Sequence, residues 1–141
     1  MCGTISYEEL ARQLGELHKR LKRTQSRMLE EYQISLIEYH ILMAVLHAKK
    51  LSQNELAAAL DVDKALISRQ IQAMEQKGLL SGQTDPVCRR RKCLTLSQQA
   101  IALLPQLQEV HRRSLEQLFG DLPEERLWEF QSILGGLVQK L

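Results

Sequence analysis

The chain has 141 residues, 44% hydrophobic and 26% charged, with a formal net charge of +2. That is one domain's length with ample apolar material for a core, which excludes a disordered chain. No apolar run approaches the ~18 residues of a membrane span, MCGTISYEEL lacks the basic start and apolar stretch of a secretory signal, and three cysteines make no disulfide framework, so a cytoplasmic setting is expected.

The pattern is mainly helical. From Tyr7 to about Glu31, Leu10, Leu14, Leu17 and Leu21 recur at three- and four-residue spacing, one stripe of a long first helix. Its other face carries Lys19, Arg20, Lys22, Arg23 and Arg27, which reads as a solvated surface. A second helix opens at Ser35, where S-L-I-E forms a capping box with Glu38. Ile37, Ile41, Leu42, Val45 and Leu46 supply its buried face. Ser52 repeats the device in S-Q-N-E, ahead of Leu56, Ala57 and Leu60. That third helix is short, because Asp61-Val62-Asp63 interrupts it. Asp63 then caps a fourth helix with Leu66, Ile67, Ile71 and Met74 turned inward, and Gly78 stops it.

Residues 79–83 and 93–96 are short enough to be strands, and TDPVCRRRK lies between them with Asp85-Pro86 as a turn signal. A β-hairpin is expected, its tip carrying four consecutive cations. Ser97 caps a fifth helix running to about Phe119, with Pro105 predicting a kink inside it. Gly120-Asp121-Leu122-Pro123 breaks the chain before a sixth helix, which opens with Glu124 and Glu125 against its dipole. Gly135 and Gly136 each cost up to ~1 kcal/mol relative to alanine in a helix, and a close helix contact is the expected reason.

Charge is unevenly placed. Residues 61–96 hold seven cations against four anions, whereas residues 97–141 hold four against six. A basic middle between more neutral ends points to one polyanion-facing surface. The stretch LSQNELAAALDVDKALISRQIQAMEQKGLL reads as a helix-turn-helix, in which the first helix braces a second whose outer face reaches base edges. Lys64, Ala65, Ser68, Arg69 and Gln72 suit that face: arginine grips guanine, glutamine grips adenine, and alanine meets a thymine methyl. A basic hairpin directly after it makes the winged arrangement, whose tip can lay arginine in the minor groove.

With Leu51-Ser52-Gln53-Asn54-Glu55-Leu56-Ala57, Gln76-Lys77-Gly78-Leu79-Leu80, Asp85-Pro86-Val87-Cys88-Arg89-Arg90 and Leu94-Thr95-Leu96, the chain resembles the multiple-antibiotic-resistance regulator (MarR) family over essentially its whole length. The resemblance implies one domain over 1–141, with a winged helix-turn-helix part at 35–96 and dimerisation helices at 5–31 and 97–141. It implies an obligate homodimer bound to a pseudo-palindromic site in double-stranded DNA, usually as a repressor that a small phenolic molecule or an oxidant releases. The expected DNA-contacting residues are Ser52, Gln53, Asp63, Lys64, Ala65, Ser68, Arg69, Gln72, Arg89, Arg90, Arg91 and Lys92. Two positions depart from the family pattern: Cys88 stands where the wing usually has aspartate, and Ala100 lies near a usual glycine.

Cys88 and Cys93 are candidate redox residues, since cations beside a thiol favour the thiolate. They give only two metal ligands, and His18, His40, His47 and His111 are scattered singly, so no metal and no cofactor is expected. Tyr32, Tyr39 and Met43 are candidates for an effector pocket between the first, second and fifth helices, with core packing as the competing role. No catalytic motif or cofactor loop appears, so the chain is not expected to be an enzyme. The rival class is a winged-helix protein–protein adaptor.

Overall fold

Five of the six main helices start on a side chain that accepts from the backbone N–H three residues on, which is why they begin where they do. The caps are Ser6, Ser35, Ser52, Asp63 and Ser97; at Ser35 the full capping box forms, with the Glu38 carboxylate accepting from the Ser35 N–H at 3.0 Å. A computed structural model describes residues 3–48, 51–84 and 92–141, with the backbone alone for Thr84 and Lys92. The order is α1 (Tyr7–Leu29), a 3-10 turn (Glu30–Tyr32), α2 (Leu36–His47), α3 (Gln53–Leu60), α4 (Lys64–Gln76), β1 (Leu80–Thr84), β2 (Lys92–Leu96), α5 (Gln98–Phe119) and α6 (Glu124–Lys140). The expected class, mainly helical with a small hairpin, is the observed one.

The hairpin is antiparallel, from Leu80 opposite Leu96 to Thr84 opposite Lys92. Leu79 falls outside it: Gly78 turns the chain at φ +77°, and β1 starts at Leu80. On its other edge β2 meets the start of α3, with a bridge between Ser52 and Cys93 and the Leu94 N–H donating to the Leu51 carbonyl at 2.9 Å. β2 is thereby fixed to the start of the helix-turn-helix.

The core forms around α2, which is apolar nearly all round and so suits burial on every side. Ile41 and Leu42 meet Leu29 of α1, Leu56, Ile67 and Met74 of the helix-turn-helix, and Leu107 of α5 in one cluster. Leu46, expected inside, is exposed in the last turn of α2. Helix α5 runs unbroken through Pro105; the Ile101 carbonyl that loses its helical donor there sits on an exposed residue, where water can replace it.

Both ends of the chain leave apolar surface uncovered. On α1 the apolar stripe is open at Leu10, Leu14 and Leu17, with Tyr7 at 80% exposure ahead of them. On α6, Trp128 and Val138 are 65% and 76% exposed, and Leu127 alone is half-buried. Nothing within the described residues lies near Gly135 or Gly136, so the close contact expected there is not made inside this chain. Among the described residues, no helix is long and apolar enough to cross a membrane.

Candidate nucleic-acid interface

Helix α3 ends at Asp61, whose φ of +52° turns the chain sharply, and α4 begins three residues later on the Asp63 cap. The Leu66 N–H donates to Asp63 Oδ1 at 2.7 Å. Ile67, Ile71 and Met74 are buried, and on a helix of 100° per residue that orients the opposite face outward. Ala65, Arg69 and Gln72 stand on this outer face and are exposed; Lys64 flanks it exposed and Ser68 half-buried. Gln76 continues the same stripe one turn on, also exposed. It was absent from the expected set, although its four-residue spacing from Gln72 announces it. Thirteen residues make a rod of roughly 20 Å, which a major groove ~12 Å wide admits.

Only some of the described cations are matched by carboxylates; Lys22 and Arg27, for example, have no salt bridge among the described residues. Arg12 is bound by Glu9, Arg20 by Glu16, Arg112 by Glu109 and Glu116, and Lys77 by Glu38. Among the described residues Lys64 and Arg69 have no such carboxylate. Their charge is open to an external anion.

Ser52 caps α3 and is half-buried against β2, and Gln53 is the first residue of that helix. Lys92 opens β2. Arg89, Arg90, Arg91 and Cys88 lie outside the described residues; Cys93 is buried on β2, opposite Gln83.

The C-terminal end of α4 is pinned. Lys77 Nζ donates to both oxygens of Glu38, at 3.0 and 2.9 Å, and to the Gln33 carbonyl at 2.9 Å. Burial pushes the Glu38 carboxyl up, but the Lys77 and Ser35 hydrogen bonds outweigh it and hold the pKa below the ordinary value.

A cavity of about 550 Å³ opens between α1, α2, α5 and the turn ahead of α4. His18, Lys22 and Gln25 line it from α1, His40 from α2 and His111 from α5. Leu21, Leu36, Ile37, Leu60, Val62 and Leu115 give it apolar walls. Tyr32, Tyr39 and Met43 are not among the lining residues. Tyr39 is buried with its ring stacked on His111 at 5.0 Å, Tyr32 packs against the core, and the Met43 sulfur accepts from Gln108. The cavity histidines went unpaired in the sequence because 22 and 71 residues separate successive members.

Comparison with known proteins follows the same division. A MarR-family model matches residues 32–91. A Thauera aromatica protein, whose name assigns it to transcriptional regulation of the hcr operon, is 33% identical over 75 residues. That stretch is 53% of this chain and 45% of the relative, so the match spans less than half of the relative's length. Among solved structures, Staphylococcus aureus MepR in complex with DNA superposes with a TM-score of 0.80 at 23% identity, covering 98% of this chain and 100% of that one. A MarR transcriptional regulator from Methanosarcina mazei gives 0.85 at 21% over 94% and 96%. Wild-type Escherichia coli MarR in its apo form gives 0.82 at 17% over 96% and 98%. The whole chain therefore has this fold.

Proposed function

We propose, from the match of residues 32–91 to the MarR-family model, that the chain is a cytoplasmic, sequence-specific transcriptional regulator of that family that binds double-stranded DNA as a homodimer. The observation that carries this is the outer stripe of α4, the second helix of the helix-turn-helix, where Ala65, Arg69 and Gln72 are exposed together and neither Arg69 nor the flanking Lys64 has a carboxylate partner among the described residues. Phosphate and base edges supply what the chain withholds. The MepR structure contains DNA, and the same fold here offers α4 to a major groove. The sequence between Thr84 and Lys92 holds Arg89, Arg90 and Arg91, which this reading assigns to the adjacent minor groove.

The dimer follows from what the ends leave uncovered. Helix α6 has 17 residues and buries almost nothing against the other described residues, whereas most helical stability in proteins comes from packing an amphipathic face. Phe130, Ile133, Leu134, Leu137 and Val138 repeat at helical spacing, and a second copy covers them together with the open stripe of α1. A two-fold dimer reads an inverted repeat. The regulator is a repressor, and a small aromatic effector in the α1–α2–α5 cavity releases it.

Selection of bound duplexes from a random library at near-physiological salt tests this. The expected product is an inverted repeat with half-sites about one helical turn apart, roughly 34–36 Å. No enrichment by the folded protein overturns the regulator in favour of the adaptor.

A further inference from the structure

One side chain ties the C-terminal end of α4 to the turn that follows α1. Lys77, the cap residue at that end, places Nζ 2.9 Å from the Gln33 carbonyl and 3.0 and 2.9 Å from the two Glu38 carboxylate oxygens. An ammonium has three donors, and the structure supplies three acceptors. Among the described residues no other hydrogen bond joins α4 to α1, the 3-10 turn or α2.

The acceptors come from two places. Glu38 is buried on α2, whereas Gln33 closes the 3-10 turn at the end of α1. Gln33 has φ +57°, a left-handed conformation disfavoured for a residue with a Cβ. Such a backbone persists where its surroundings hold it. Here the Gln33 N–H donates to the Glu30 carbonyl at 2.9 Å, and its own carbonyl accepts from Lys77. Beyond Gly78, the Ser97 N–H donates to the Leu79 carbonyl at 3.0 Å. The exit of α4 is thus held from two sides, by the start of α5 at Leu79 and by the end of α1 at Lys77.

We propose that Lys77 is a positioning residue for DNA recognition: its bridge to Gln33 and Glu38 sets the angle of α4 relative to α1, and thereby the half-site spacing that the dimer accepts. Ile67, Ile71 and Met74 bury the inner face of α4. Apolar burial is non-directional, whereas hydrogen bonds weaken steeply with misalignment. In the dimer proposed above α1 belongs to the interface, so at Gln33 the interface helix ends and the reading helix is gripped. One added base pair moves a half-site by ~3.4 Å and turns it by roughly 35° about the duplex. An α4 free to swing accepts neighbouring spacings. The spacing role rests on the DNA-binding homodimer; the orientation of α4 does not.

Two measurements on the full chain test this, with K77M, E38Q and V110A beside the parent. V110A truncates a buried residue of α5 and controls for lost stability. Residual dipolar couplings of the backbone amides report the orientation of α4 against α1 without DNA. In the parent and V110A both helices should fit one alignment. In K77M the α4 couplings should depart from it while those of α2 and α5 keep it. E38Q, in which the bond to Gln33 remains, should depart in the same sense by less, and it decides the matter should K77M not fold. Affinities are then compared on the selected operator with its spacer unchanged, shortened or lengthened by one base pair. The preference for the native spacer should fall by roughly 3- to 10-fold in K77M. It should hold in V110A, because instability lowers all three affinities alike. Variant α4 couplings that still fit the α1 alignment, or an unchanged spacer preference, overturn the proposal. A parent that enriches no inverted repeat removes the DNA reading and the spacing role with it, and the couplings still decide whether Lys77 positions α4.

Discussion

Replacing Lys77 by methionine removes a cation and keeps the length of the side chain, so its effect isolates the charge. The Glu38 side chain is 7% exposed and that of Lys77 41%. Glu38 would keep the Ser35 N–H and lose both bonds from Nζ; Gln33 would lose one. Hydrogen bonds to charged groups contribute about 1.5–3 kcal/mol, and stranding a buried carboxylate costs about 3–5 kcal/mol. Because Lys77 is half in water, the lower part of that range applies, and we expect K77M to lose about 2 kcal/mol near neutral pH. For a domain of this size that lowers Tm by roughly 6–10 °C.

The pH dependence has a definite sign. In the parent the depressed Glu38 pKa contributes stability above the unfolded carboxylate value, and that contribution is lost as pH falls through the folded one. In K77M burial prevails and the carboxyl shifts upward, so protonation relieves it. The difference between parent and variant must therefore narrow on acidification below about pH 5. Urea unfolding of the parent, K77M, E38Q and the double variant gives the coupling directly. A coupling within about 0.3 kcal/mol of zero, or a gap that widens in acid, refutes the assignment of this bridge as the anchor of α4.

Three further outcomes follow. R69A should weaken specific duplex binding by about 1–3 kcal/mol and relax sequence choice at one position per half-site, read by binding to single-base operator variants. D63A removes the bond from the Leu66 N–H and should lower stability by about 1 kcal/mol in urea unfolding. L137D, on the open face of α6, should convert a dimer to a monomer in sedimentation experiments; a dimer of unchanged affinity excludes α6 from the interface.

Most helix starts were legible because their signal is local. A serine or aspartate followed three residues on by the N–H it caps needs no tertiary information, and Ser35, Ser52, Asp63 and Ser97 all act as their positions suggest. The outer stripe of α4 was legible for the same reason, since periodicity fixes which residues share a face. What periodicity cannot say is what covers a face. Leu10, Leu14 and Leu17 have the spacing of core residues and lie exposed, because nothing among the described residues covers them. The cavity was opaque for a second reason. His18, His40 and His111 converge only through the packing of α1, α2 and α5, and each taken singly looks like an ordinary surface residue.

Helix α2 explains why these features bear on one another. Its first turn presents Leu36, Ile37 and His40 to the cavity while Glu38, between them, holds Lys77 at the C-terminal end of α4. At the other end of α4, Leu60 and Val62 line that cavity beside the turn that Asp61 makes. Tyr39, Ile41 and Leu42 meanwhile fix α2 in the core, so it cannot yield locally without disturbing close-packed neighbours. Whatever fills the cavity therefore touches the entry to α4 directly and its exit through a single charged bridge. The outer stripe of α4 lies between those two points, on a helix whose inner face is held in the core by Ile67, Ile71 and Met74.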